Sequence, residues 1–454
     1  MHYRHNGKKL TTAALLAAAV TGLKAEGRPN IILIMTDQQT ADAMSNRGNA
    51  NVKTPAMDML AADGVSFTNA YCSYPLSGPS RASLFTGKMP VELNIPDNEI
   101  GLPAAEIPQT LGFKLAEAGY ECLYAGKWHI PTVEIPDGEF GFRKISGMND
   151  MTLVNSITEE LSAKRDKPLF LVTSFLNPHE ICEYARSQTL HYGEVEIPDN
   201  AKLPSLPDNF NAVKQLPEGL MIHKAMSPKL YPTNNYSTPD WRNYLYTYYR
   251  LVERVDQNLA DLIAELKKNN LYDNSLIVFL SDHGDGVAAH HWNQKRALFE
   301  ETIRIPLIVK PPLKDRNKFA GNTSQALINI GIDIYPTLCE YAGSNIPADR
   351  NGRSMKALME GTVDTHHKNI FIETLLDGIN LRGWCVIEGN YKYVYYRMFA
   401  GKEQLFDLKT DKGEKNNLVK KVAYTEVRKN MRRIMLEYAL KTNDVMLQKE
   451  MQHL

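Results

Sequence analysis

The stretch Asn30-Ile31-Ile32-Leu33-Ile34-Met35-Thr36-Asp37 decides the fold class. Five successive apolar side chains do not fit a half-exposed strand, whose faces would alternate. They describe a strand buried on both faces, as in a parallel sheet covered by helices. Ser275 to Leu280 repeats the pattern and runs into Ser281-Asp282-His283. Leu169 to Phe175, Tyr120 to Ala125 and Ile305 to Val309 read as further strands, and Val65 to Tyr71 as an alternating one. Helical stretches lie between them. Thr54-Pro55 opens one that Gly64 closes, Ile107-Pro108 opens one that Gly119 closes, and Gly331 to Tyr341 is a third. Asp240 to Asn269 is the cleanest, with Trp241, Tyr244, Tyr248, Leu251 and Val255 three and four residues apart. Its tyrosine stripe fits core packing or a ligand platform.

Strands alternating with helices predict an α/β fold, a largely parallel central sheet between helices. Ligands of such sheets sit beyond the carboxyl ends of the strands. Asp37, Lys127, Asn177 and Asp282 all follow predicted strands, so they are expected at one place. Asp37-Gln38 and Asp282-His283 could bring two carboxylates to a cation; each aspartate could equally be a turn or cap residue. Asn177 to Pro239 is a long irregular stretch dense in Pro and Asn, which in a compact domain is usually functional. From about His366 the pattern changes to short strands with turns such as Gly389-Asn390, then an amphipathic helix from Val422 to Leu440. This predicts a small C-terminal α+β subdomain with an antiparallel sheet. The expected division is 1–25 as an export signal, 26–365 as the main domain and 366–454 as the subdomain.

Composition narrows the classes. Lys+Arg and Asp+Glu both number 52 in 454 residues, so no global field favours nucleic acid or anionic lipid. Arg4, Lys8 and Lys9 precede an apolar run from Leu10 to Leu23 and a small residue, Ala25. That is the layout of a secretory signal peptide and is too short for a membrane span; a buried N-terminal helix is the other reading. Five widely spaced cysteines contain no Cys-x-x-Cys pair, which argues against a cysteine zinc site and requires no disulfide.

Ser77-Gly78-Pro79-Ser80-Arg81-Ala82-Ser83-Leu84-Phe85-Thr86-Gly87 resembles the signature of the type I sulfatases: Cys or Ser, any residue, Pro-Ser-Arg, three residues, Leu, any residue, Thr-Gly. Every fixed position matches. The resemblance continues through Asp37-Gln38, Gly126-Lys127-Trp128-His129, Asn177-Pro178-His179, Ser281-Asp282-His283-Gly284-Asp285, Lys295 and Leu405-Phe406-Asp407-Leu408. It implies the alkaline phosphatase-like fold and hydrolysis of a sulfuric ester, with a sulfated carbohydrate as the expected substrate. The setting it implies is the periplasm or outside a bacterial cell.

In that family the Cys or Ser becomes formylglycine, whose hydrated aldehyde offers one hydroxyl to take the sulfuryl group and a second to expel sulfate. A serine at position 77 implies maturation by a radical enzyme. The resemblance assigns Asp37, Gln38, Asp282 and His283, with modified Ser77, to one calcium ion. It assigns Arg81 and Lys127 to holding the hydrate, and Lys127 and Lys295 to the sulfuryl oxygens. His129 would move a proton at the hydrate and His179 would protonate the leaving oxygen. His290 and His291 have no carried-over role; they line the substrate pocket or lie on a loop. Two departures matter: many members have Asp where Gln38 stands, and Asn where His283 stands. His283 could therefore ligate the ion or hydrogen-bond beside it. The competing reading is a phosphoric ester hydrolase of the same superfamily.

Overall fold

The computed structural model describes residues 27–212, 216–316, 320–376 and 378–454. The expected export signal lies outside the described residues. Strands β1 (Asn30–Asp37), β2 (Val65–Phe67), β3 (Ala70–Tyr71), β4 (Glu121–Gly126), β5 (Arg143–Ser146), β6 (Leu169–Pro178), β7 (Ser275–Ser281), β8 (Leu307–Lys310), β9 (Asn322–Ser324) and β10 (Ile328–Asn329) belong to the main body. Eight of them form one sheet in the order β5-β4-β6-β1-β7-β8-β2-β9. Within it only β8 runs against its neighbours. The opening strand sits between β6 and β7, with Ile31 level with Phe170 on one side and Leu276 on the other.

Both faces of the sheet are buried, as its unbroken apolar runs require. Ile31, Leu33 and Met35 pack into one core with Leu84 and Phe85 of the helix Ser77–Thr86 and Ile334 of the helix Ile330–Ala342. Ile32 and Ile34 face the other core, beneath Tyr248, Leu251 and Val255 of the helix Thr238–Lys268. That long helix begins with a capping box, Ser237 and Asp240 bonding each other's backbone, and with Pro239 in its first turn.

Two expectations need correction. Val65 to Tyr71 is not one strand. The chain breaks at Thr68 and Asn69, and Ala70–Tyr71 leaves the main sheet to pair with β10. The strand near Ile305 begins at Leu307 and is antiparallel to β7. A parallel return needs a crossover element, and between β7 and β8 the chain forms only the short turns Ala289–His291 and Glu300–Ile303.

The C-terminal strands β11 (Asn369–Leu376), β12 (Leu381–Glu388), β13 (Tyr391–Tyr396) and β14 (Glu403–Asp407) form an antiparallel sheet in sequence order. The helix Thr425–Lys441 covers one face through Met431, Ile434 and Met435. The other face, with Ile370, Ile372 and Val394, joins the main core. Within the expected irregular stretch lie the helices Ile181–Ala185 and Glu218–Met226.

Candidate active site

Strands β4, β6, β1 and β7 are consecutive in the sheet, so their carboxyl ends form a row about 4.8 Å apart. Lys127 follows β4, His179 follows β6, Asp37 ends β1 and Asp282 follows β7. Lys127 depends on the glycine before it: Gly126 has φ +99, and a Cβ there would lie 2.0 Å from the Ser174 carbonyl oxygen.

Ser77 reaches this row as the first residue of its buried helix. Its Oγ lies 3.2 Å from Asp37 Oδ2 and 3.1 Å from His283 Nε2. Gly78 lets the helix start press against Asn98, where a Cβ would meet backbone at 2.9 Å, and its N–H donates to Asn98 Oδ1. Arg81 lies one turn on, facing the same way. It is fully buried and donates from Nε to Asp282 Oδ2 (2.8 Å) and from its terminal nitrogens to Asp37 Oδ2 (3.2 Å), the Lys127 carbonyl and Ser174 Oγ. Ser80 Oγ donates to the Asp282 carbonyl at 2.6 Å.

The chemistry of His283 follows from its neighbours. Nδ1 is 2.9 Å from the Gly284 carbonyl, which can only accept, so Nδ1 carries the proton. Nε2 is then a bare lone pair, 3.9 Å from Asp37 Oδ1 and 3.7 Å from Asp282 Oδ1. Burial pushes its imidazolium down, which keeps the ring neutral. Asp37 Oδ1 is buried and has no hydrogen-bond partner. Two carboxylates, an orphaned oxygen and a bare nitrogen fit a divalent cation.

The cations around Asp37 set its state. Burial pushes its carboxyl up, but Lys127, Lys295 and Arg81 outweigh burial and hold it well below the ordinary range. Lys127 Nζ is 2.5 Å from Asp37 Oδ2, and burial pulls the ammonium down despite that partner. Lys295 Nζ donates to Gln38 Oε1 at 3.0 Å, and the Gln38 amide donates to Asp285 Oδ2 at 2.6 Å. His129 has a buried Nδ1 without a partner, and burial and Lys127 push it to about 3. Burial, Lys295 and Lys127 push His179 well below its ordinary value. Both rings are therefore neutral before anything binds.

The structure thus brings together Asp37, Gln38, Ser77, Arg81, Lys127, His129, His179, Asp282, His283 and Lys295. His290 and His291 stand apart. His290 stacks on Phe299 beside Glu301 and Glu414, and His291 stacks on Phe210. Several supporting residues had no role assigned from the sequence. Ser174 and Asp285 hold Arg81 and Gln38. From the tyrosine stripe, Tyr244 donates to Asp285 and Tyr248 to the Gln38 carbonyl, so a core helix also aims its hydroxyls at the site. Glu183 Oε2 is buried, has no hydrogen-bond partner and lies 3.9 Å from His179 Nδ1; its four-residue spacing from His179 was the available signal.

Above the row opens a pocket of about 180 Å³ lined by Leu76, Asn98, His179, Cys182, Arg186, Leu230, Tyr231, Gln294, Lys295 and Arg296. The family model described as Sulfatase matches residues 29–134 and 131–344. One described as N-sulphoglucosamine sulphohydrolase, C-terminal, matches residues 288–441. The chain is 27% identical to a Delta 4,5-hexuronate-2-O-sulfatase of Bacteroides thetaiotaomicron, across 94% of this chain and 92% of that protein. It is 26% identical to an N-acetylglucosamine-6-O-sulfatase of the same organism, across 94% and 89%. A solved 2-O GAG sulfatase superposes with a TM-score of 0.79 at 26% identity, over 92% of this chain and 93% of that one.

Proposed function

Since the chain belongs to the sulfatase family, we propose that this enzyme removes sulfate from a sulfated carbohydrate through an aldehyde hydrate made from Ser77. One observation carries the reading: Ser77 Oγ lies between Asp37 Oδ2 and His283 Nε2 with Arg81 a turn behind it. As formylglycine hydrate, this side chain would supply one hydroxyl to take the sulfuryl group and another whose deprotonation releases sulfate.

Asp37, Asp282 and His283 would hold a calcium ion, with Gln38 beside them, and the ion would acidify the hydroxyl at position 77 and draw charge from the sulfate oxygens. The protein's own groups do the rest. Arg81 fixes the two carboxylates, so the position 77 side chain meets a set orientation. Lys127, buried, and Lys295, half-buried, bring positive charge to developing negative charge. His129 would move a proton at the hydrate; its Nδ1 has no partner, and the negative charge of a bound ester would restore the basicity that burial and Lys127 depress. His179 must gain a proton to serve as the acid, and a bound sulfate ester together with Glu183 supplies the negative charge that favours it. Maturation requires an enzyme that oxidises serine. The basic start and apolar run before Ala25 support export to the periplasm or beyond; among the described residues no helix is long and apolar enough to cross a membrane.

The named relatives support sulfated sugars as substrates, including 2-O-sulfated hexuronates and 6-O-sulfated N-acetylglucosamine. The test is hydrolysis of an aryl sulfate, an aryl phosphate and these two sugars by protein co-produced with a serine-oxidising maturation enzyme. Sulfate release from a sugar, with sulfate preferred to phosphate, is the expected result. Faster turnover of the phosphate would overturn the reading.

A further inference from the structure

We propose that Arg186 reads a second oxyanion on the substrate sugar, a carboxylate or another sulfate, and so makes an acidic sugar the preferred substrate. The inference rests on the sulfatase reading above and concerns the other end of the same pocket. None of the ten residues lining that pocket is acidic, yet Arg186, Lys295 and Arg296 all contribute to it. Two of these cations are committed. Lys295 is bonded to Gln38, and Arg296 is bonded to Asp97 and the Leu375 carbonyl. Among the described residues Arg186 forms no ion pair and no partner fixes its two terminal nitrogens; its Nε donates to the Lys229 carbonyl at 3.2 Å.

Position and cost point the same way. His179, Cys182 and Arg186 follow one another at helical spacing, with the Cys182 N–H on the His179 carbonyl and the Arg186 N–H on the Cys182 carbonyl. The helix Ile181–Ala185 lies between them, so His179 and Arg186 stand at its two ends. The volume equals that of about six liquid waters, at roughly 30 Å³ each, which is the scale of one sugar unit. Leu76, Leu230 and Tyr231 supply apolar wall. A sugar whose sulfate lies at Lys295 therefore turns its far side to Arg186. Covering a guanidinium without an anion leaves buried donors unmatched, whereas a carboxylate or sulfate takes two parallel N–H bonds. Binding a neutral sugar forfeits that gain.

The test compares kcat/KM of the matured enzyme for three monosaccharides carrying one scissile sulfate: a neutral hexose, a hexuronate and a hexose with a second sulfate. The wild type should favour at least one acidic sugar over the neutral one by about 10- to 100-fold, and which one identifies the oxyanion. Arg186→Ala should collapse that ratio, chiefly through KM, and Arg186→Lys should restore part of it. A purely structural role would lower all three values by one factor and keep the ratio, which would overturn the proposal, as would a wild type that hydrolyses all three alike. A matured wild type that splits none of them removes the sulfatase reading itself, and this proposal with it.

Discussion

Arg81 sends Nε to Asp282, one terminal nitrogen to Asp37 and the other to the Lys127 carbonyl and Ser174. A lysine's single nitrogen cannot reach partners spread around three separate nitrogens, since its ammonium lacks the planar fork. Leaving a buried charge unpaired costs about 3–5 kcal/mol. Arg81→Lys should therefore lower the melting temperature and cut kcat by about 100-fold or more; full activity with unchanged melting would contradict the account. At this scale the sequence was legible where chemistry demands a fixed spacing, as from Ser77 to Arg81. It was silent on Ser174 and Asn98, and placed Asp285 in a motif without a role, because an ordinary polar residue acquires its role only when distant segments meet.

The elements succeed or fail by how their termini are held. β4 delivers Lys127 only because Gly126 tolerates φ +99 and close approach to Ser174. Gly126→Ala adds left-handed strain of about 1–2 kcal/mol and a clash with the Ser174 carbonyl. It should destabilise by more than that strain alone and depress kcat by displacing Lys127. Chemical denaturation and steady-state kinetics would check both, and a variant as stable and active as the parent would contradict the reading. Buried strands such as β1, β6 and β7 were legible because an apolar run has few alternatives. The direction of β8 and the break after Phe67 were not, since both depend on partners: β8 follows its missing crossover, and Ala70–Tyr71 follows β10.

The whole molecule is joined by contacts that respond to pH and to cations. Glu373 of β11 accepts hydrogen bonds from Tyr438 of the C-terminal helix and from the Val91 backbone in the short helix Pro90–Leu93, tying the C-terminal sheet to its covering helix and to the main body. Burial pushes its carboxyl up to about 8, against an ordinary 4.5. Between those values the folded protein keeps a proton that the unfolded chain releases, so stability falls as pH rises. Glu373→Gln should flatten that fall by about 1–4 kcal/mol, seen as a smaller drop in melting temperature from pH 5 to 8; identical pH profiles would contradict the assignment. The proposed cation site lies where the ends of β1 and β7 meet, which happens only in the folded state. Calcium at about 100 times its dissociation constant should add about 2.7 kcal/mol, and Asp282→Asn should abolish that gain; a chelator that leaves melting and activity untouched would contradict the site. This joining of chain ends was the least legible level, because the sequence marked a subdomain after His366 but not the core it shares. The central claim concerns the side chain at position 77, and mass spectrometry of the peptide containing it tests that claim most directly. The account predicts a peptide lighter by two hydrogens, or that product plus water, in active protein, and unmodified Ser77 in protein made without the maturation enzyme and nearly inactive. Full sulfatase activity with an unmodified serine would contradict it.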